Sequence, residues 1–301
     1  MGGMKRITSY ALWLFAHLFQ SKRLIRLLHS YNSTLTTSIG VKRFCSPQEF
    51  HFNELSDETL KSLTNSSHPV VIRGICPDLI NNTAIDHSFI LKNFADLKEE
   101  TRSYDDSIAD KEIVKNLILK LSNRSTIAST NIANSENFWD KLQFEKWLPF
   151  QQILKAPILI KTAFISSPGF QTRLHLEPGK ILNIQLHGRK KWFLLSHKFS
   201  HFIDPLLSQS SIHFSGKINN KDDLVNLLDQ SVVVYSCELE KGDALFVPPF
   251  HWHLVETQSE SVSISLQWSQ IVKSFLNNPY MYIFTISSFL KKHFKKRFFN
   301  A

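Results

Sequence analysis

His175, Glu177 and His253 are the residues whose types and spacing most plainly suggest chemistry. On a β-strand, residues i and i+2 face the same side, so His175 and Glu177 would share one face. A third ligand from a distant strand would place two imidazoles and one carboxylate around a divalent cation. That set leaves positions open on one side of the metal for a chelating cosubstrate and dioxygen. The triplet His175-Leu176-Glu177 proves little alone, since 13 histidines and 26 acids in 301 residues produce about one His-x-acid triplet by chance. Its weight comes from the run Gly242 to His253 (GDALFVPPFHWH), which ends on a histidine 78 residues after the first.

Such ligands need strands to hold them. From residue 158 onward, short apolar, β-rich runs follow one another at 158–164, 181–186, 192–195, 231–238, 244–247 and 262–268, with turn residues at Pro168-Gly169, Gly188 and Gly242-Asp243. Many short strands with Gly and Pro punctuation predict a sandwich or barrel. Before them the spacing predicts helices at 53–64, 89–97 and 113–121, a strand starting at Val70 and stopping at Gly74, and a polar surface loop over 122–137. A helix with Asp222-Asp223 at its N-terminus is inserted between late strands.

With the motifs in order, the chain resembles the JmjC/cupin-type hydroxylases, a family that acts on proteins and, in one branch, on tRNA. Its pattern is matched by Gly169, Thr172, His175, Glu177, Gln185, Gly188, Lys190 and Trp192, then Gly242, Asp243, Leu245, Pro248, Trp252 and His253. The resemblance implies a mainly β fold, a double-stranded β-helix of the jelly-roll, JmjC/cupin type with flanking α-helices. It implies an Fe(II)- and 2-oxoglutarate-dependent oxygenase that uses O2 to hydroxylate a protein side chain or an RNA base. His175, Glu177 and His253 would then hold the metal and act in catalysis, while Lys190 and Thr172 would bind the cosubstrate's distal carboxylate. The alternative for Lys190 is one of three solvated bases with Arg189 and Lys191. The family often carries Asn four residues after the metal carboxylate; here that position is Ile181, and Asn183, of the same strand parity, is the nearby cosubstrate-binding candidate. Other chemistries stay open, either a different metal-binding cupin or a catalytically silent barrel acting as a binding module. His251 is expected in a packing slot, and Trp192, Trp252 and Trp268 in the core, with Trp252 stacked beside the metal ligand.

Composition narrows the remaining classes. The net charge of +9 sits at the ends: residues 1–48 hold seven bases and no acid, and six bases and no acid follow Glu260. The middle keeps 22 bases against 26 acids, which argues against a basic nucleic-acid-binding body. Three widely spaced cysteines, Cys45, Cys76 and Cys237, give neither a disulfide framework nor a cysteine zinc site. Residues 1–44 read as a leader: a mitochondrial transit peptide if the source is eukaryotic, a secretory or membrane-proximal segment, or an ordinary helix. The barrel with its N-terminal helical elements is expected over 45–272. Residues 273–301 read as a basic C-terminal helix that packs on the barrel, pairs two copies as a homodimer, or touches a membrane surface.

Overall fold

The computed structural model describes residues 43–75, 84–103, 108–119, 121, 124–142, 153, 155–203, 214–215, 221–228 and 232–269, with a few isolated positions before residue 43. The basic C-terminal segment and nearly all of the leader lie outside these residues. In chain order the strands are β1 (Arg43–Cys45), β2 (Gln48–His51), β3 (Val70–Arg73), β4 (Lys98–Ser103), β5 (Ile108–Ile113), β6 (Ser125–Ser129), β7 (Leu159–Ser166) and β8 (His175–Leu176). They continue as β9 (Lys180–His187), β10 (Lys190–Leu195), β11 (Phe214–Ser215), β12 (Val233–Leu239), β13 (Ala244–Val247), β14 (Trp252–Thr257) and β15 (Ser261–Trp268). One sheet has the order β1-β12-β10-β14-β8-β11, the other β2-β3-β13-β9-β15-β7-β6-β4-β5. This is a jelly-roll β-sandwich with flanking helices, as expected. β1 lies parallel to β12 as an edge strand and straddles the boundary expected at residue 44.

Strand alternation sorts the side chains into three layers. On β9 and β15, Leu182, Ile184, Leu186, Val262, Ile264, Leu266 and Trp268 pack outward into a core shared with helical Ile90, Phe94, Val114, Leu117 and Phe138. On the outer face of the other sheet, Leu174, Leu176, Phe193, Leu195, Trp252 and Leu254 form a second core. Between the sheets, Ile181, Trp192, Leu194, Leu245, Val247 and Val255 fill the interior apolarly. Polar residues of the same parity, among them Asn183, Lys190 and Thr257, and Ser263 on β15, line the rest of that interior and are buried. Full burial of an ordinary apolar side chain contributes about 1.5–3 kcal/mol, so the two outer cores hold the sheets in register and leave the gap between them available.

The helices expected near 53–64, 89–97 and 113–121 are found at Asp57–Leu63, His87–Phe94 and Val114–Leu119. Ser56 and Asp86 cap the first two by accepting from Thr59 N and Phe89 N. The late helix is Lys221–Leu228, with Asp222 and Asp223 in its first turn. The loop expected over 122–137 is corrected: it contains β6 and a helix at Thr130–Asn134, and Ile127, Ile132 and Ala133 are fully buried. Its polarity misleads because the polar side chains are buried and bonded. The Thr126 hydroxyl donates to Ile165 O (3.1 Å) and pairs with Ser166 Oγ (2.8 Å). Ser129 Oγ donates to the Glu99 carboxylate (2.6 Å) and accepts from Ile132 N (2.9 Å). Charged β4 and β5 were likewise not legible as strands.

Candidate active site between the sheets

The cavity between the two sheets measures about 140 Å³, with Gln171 and Arg173 among its lining residues. His175, Glu177, His253, Thr172, Asn183 and Lys190 all line it. The fold thus brings every candidate side chain to one cavity, with His175, Asn183, Lys190 and His253 turned inward from their strands.

The two histidines meet directly. β8 and β14 pair antiparallel with His175 opposite His253, and their ring centroids lie 4.1 Å apart. His175 Nδ1 lies 2.8 Å from Arg173 O, and His253 Nδ1 lies 3.0 Å from His251 O. A backbone carbonyl can only accept, so each Nδ1 carries the hydrogen and donates it. Each Nε2 then bears the lone pair, which is the form that binds a metal. Glu177 follows β8 on the same face, and its carbonyl accepts from Phe250 N (2.9 Å). Phe250 has φ 59. A left-handed non-glycine residue costs about 1–3 kcal/mol. Burial of the ring and this hydrogen bond offset that cost. Among the described residues, no three His, Cys, Asp or Glu side chains are assembled into a metal-sized group. The structure therefore brings the two imidazoles together and leaves Glu177 beside them on the cavity wall.

Lys190 marks the other end. It pairs across β10–β14 with Thr257, four residues along β14 from His253. Its Nζ donates to Ser263 Oγ (2.8 Å) and sits 5.5 Å over the Phe164 ring. Burial pushes its pKa down to about 7, and among the described residues no carboxylate opposes the shift. Arg189 is exposed and Lys191 half-buried, so the three bases are not equivalent and Lys190 is the one turned inward. Gly188, two residues earlier, has φ 69, and a Cβ there would collide with the Glu260 carbonyl. Only glycine permits the tight turn that delivers Lys190 to the interior.

Thr172 Oγ1 accepts from Val255 N (3.0 Å), which fixes the oxygen and leaves its own proton to be donated. Asn183 is buried on the same wall as Ile181, and its Oδ1 has no hydrogen-bond partner among the described residues. Trp192, not Trp252, stacks on His253, with centroids 5.8 Å apart. Trp252 has the opposite parity to His253 and packs in the outer core, donating Nε1 to Ser200 Oγ (2.8 Å). The three tryptophans are in the core as expected, and His251 is buried with its ring edge-on to His197. Sequence reasoning missed the hydroxyl-rich wall of Thr126, Thr162, Ser166, Ser265 and Thr257 and the amide of Gln267. A period-two signal was present on β15, where Ser261, Ser263, Ser265 and Gln267 alternate with Val262, Ile264 and Leu266.

Other expectations are answered more simply. Cys45 and Cys237 are free thiols, and burial pushes the Cys237 thiol up to about 12. No helix among the described residues is long and apolar enough to cross a membrane.

Comparison with known proteins gives consistent results. The model of the cupin-like domain matches residues 56–274. The chain is 28% identical over 125 residues to tRNA wybutosine-synthesizing protein 5 of Homo sapiens, covering 41% of this chain and 39% of that protein. It is 33% identical over 109 residues to Lysine-specific demethylase 8 of Danio rerio, covering 36% of this chain and 27% of that protein. Against JmjC domain-containing protein D of Dictyostelium discoideum the identity is 31% over 105 residues, 34% of this chain and 23% of that protein. The chain thus aligns with well under half the length of each of these relatives.

Proposed function

The chain belongs to the cupin-like, JmjC-type family, and from that premise we propose that it is an Fe(II)- and 2-oxoglutarate-dependent oxygenase that hydroxylates a protein side chain or an RNA base. The observation that carries this reading is a cavity with two metal-competent imidazoles at one end and a buried lysine at the other. Such polarity suits a ligand that chelates a metal at one end and carries an anion at the other. The relatives' names divide between a tRNA and lysine side chains, and for this reason both substrate classes remain in the proposal.

His175, Glu177 and His253 would hold the metal, with the Glu177 carboxylate turning onto the histidine pair. Lys190 would meet the distal carboxylate, aided by the Thr172 hydroxyl, and Asn183 would add a polar contact on the opposite wall. When bound there, iron, 2-oxoglutarate and dioxygen supply the oxidant for a C–H bond, and the cosubstrate departs as succinate and carbon dioxide. The chain's own residues orient the cosubstrate and exclude water. The β10 and β14 side chains Trp192 and Val255 make the wall between the two ends apolar, which strengthens the charge contacts made inside. The test is release of labelled carbon dioxide from 1-labelled 2-oxoglutarate with added Fe(II). It should be followed by a search of protein and tRNA from cells lacking this protein for modifications that have lost one oxygen atom. A second reading is a metal-binding cupin serving as a binding module, a non-catalytic use of the same barrel interior. Tight 2-oxoglutarate binding with no carbon dioxide released under any substrate supply would establish it instead.

A further inference from the structure

Glu177 and Lys180 are close in the chain and serve opposite sides of the sheet. Glu177 lines the cavity. Lys180 opens β9 with the outward parity of Leu182 and Ile184, which pack in the core shared with the helices. On that side its Nζ donates to Thr64 O (2.6 Å) and Asn65 Oδ1 (3.0 Å). Thr64 is the C-cap of the helix Asp57–Leu63, whose Leu60 and Leu63 are buried in the same core. The last carbonyls of a helix lack partners inside it and carry its negative end, so a lysine suits that place. Yet Lys180 is only 7% exposed, and lysine is rarely buried without a paired charge. Both of these acceptors are neutral, so closing one helix end is a costly use of a buried ammonium.

The connection between the two residues shows what the contact can do. Only Pro178 and Gly179 separate them, so the tether spans at most about 11 Å. Proline fixes its own φ and holds the residue before it extended, which limits the Glu177 backbone. Gly179 is pressed against β15: a Cβ there would come within 2.9 Å of Gln267 Cγ and 3.0 Å of Trp268 O. At the near end, Glu177 O accepts from Phe250 N (2.9 Å). A glutamate side chain is long and flexible, so where its carboxylate can settle depends on how firmly its backbone is held. Resting on the reading above of His175, Glu177 and His253 as metal ligands, we propose that Lys180 is a positioning residue for the metal carboxylate. By tying the loop to the C-terminal end of the helix Asp57–Leu63, it holds the Glu177 backbone where the carboxylate can turn onto the histidine pair. A helix outside the sandwich thereby sets a ligand inside it.

The experiment is a double-mutant cycle on Mn(II) affinity, measured on the full chain by the loss of the free-ion resonance signal. Lys180→Met keeps the length and removes the ammonium, and should weaken Mn(II) about tenfold. Lys180→Arg keeps a cationic donor and should recover most of that loss. In a Glu177→Gln background the carboxylate is already gone, so Lys180→Met should change the affinity by less than about twofold. A role in folding alone would not depend on the residue at 177. Melting curves confirm that each variant is folded. If Lys180→Met does not fold, Asn65→Ala removes one exposed acceptor of Nζ and should weaken Mn(II) about threefold, again only when Glu177 is present. Wild-type affinity in folded Lys180→Met, or in Asn65→Ala where that variant decides, overturns the inference, and so do equal losses with Glu177 and with Gln at 177. A wild-type protein whose Mn(II) affinity is indifferent to Glu177→Gln overturns the ligand set and this inference with it. Failure of the oxygenase reading is seen separately: a chain that shows the expected cycle and releases no carbon dioxide from 2-oxoglutarate loses that reading and keeps this one.

Discussion

Lys190→Met should make the protein more stable and weaken its response to 2-oxoglutarate. Burial lowers the Lys190 pKa from 10.5 to about 7, a shift equivalent to about 5 kcal/mol of destabilisation of the folded state while the amine is protonated. Methionine has nearly the same length and no charge, so it removes that penalty. It also strands the Ser263 hydroxyl that now accepts from Nζ, which returns about 1–3 kcal/mol. The net gain is therefore about 2–4 kcal/mol, or roughly 4–16 °C in Tm for a domain of this size. The sign with pH follows from proton counts. Between pH 7 and 10.5 the unfolded chain holds the lysine proton and the folded chain has lost it, so wild-type stability rises with pH across that window. The advantage of the variant should be full below pH 7 and shrink toward pH 10. Thermal melts at pH 6, 8 and 9.5, with and without 2-oxoglutarate, measure all of this, and the wild type should gain more from the ligand than the variant. A variant less stable than wild type by a pH-independent amount would refute the reasoning, because Lys190 would then be held by contacts and not penalised by burial.

His175→Ala, Glu177→Ala and His253→Ala should each abolish metal-dependent 2-oxoglutarate turnover while circular dichroism stays native; Glu177→Asp should be milder, because a shorter carboxylate still ligates. Full turnover in any of the alanine variants removes that residue from the site. Gly188→Ala should lower Tm sharply, since both φ 69 and the Glu260 carbonyl oppose a Cβ; a melt unchanged from wild type would show that the turn can rearrange. A chain beginning at residue 46 should melt below one beginning at residue 42, through loss of the β12 edge pairing made by Arg43–Cys45.

The sequence revealed the parts of this fold in which parity and punctuation coincide. His175 and Glu177 flank Leu176, whose burial in the outer core forces both polar neighbours inward. The Gly188 turn and the alternation from it placed Lys190 inside and Arg189 outside. The same rule should have excluded Trp252 from the His253 ring, since adjacent residues of a strand face opposite sides; the resemblance to a motif outweighed the geometry there. The stretch 122–137 was opaque for another reason. Its buried Thr126 and Ser129 are satisfied by Ile165 O, Ser166 and Glu99, partners far away in sequence. Nothing local distinguishes such residues from those of a solvated loop. The amide of Gln267 lay within a visible alternation, yet its seat depends on Gly179, a contact that only the folded chain creates.

The hydrogen bond from Phe250 N to Glu177 O has a mechanical consequence. Phe250 belongs to the turn that leads into β14, which carries His253, while Glu177 directly follows β8, which carries His175, and those two strands are also joined at the histidines themselves. The segments bearing the three candidate ligands are thus laced at two points. Fraying that frees one of them must pull on the other, so the donor end of the cavity should breathe as one unit, with the lysine end anchored separately through β10 and β15.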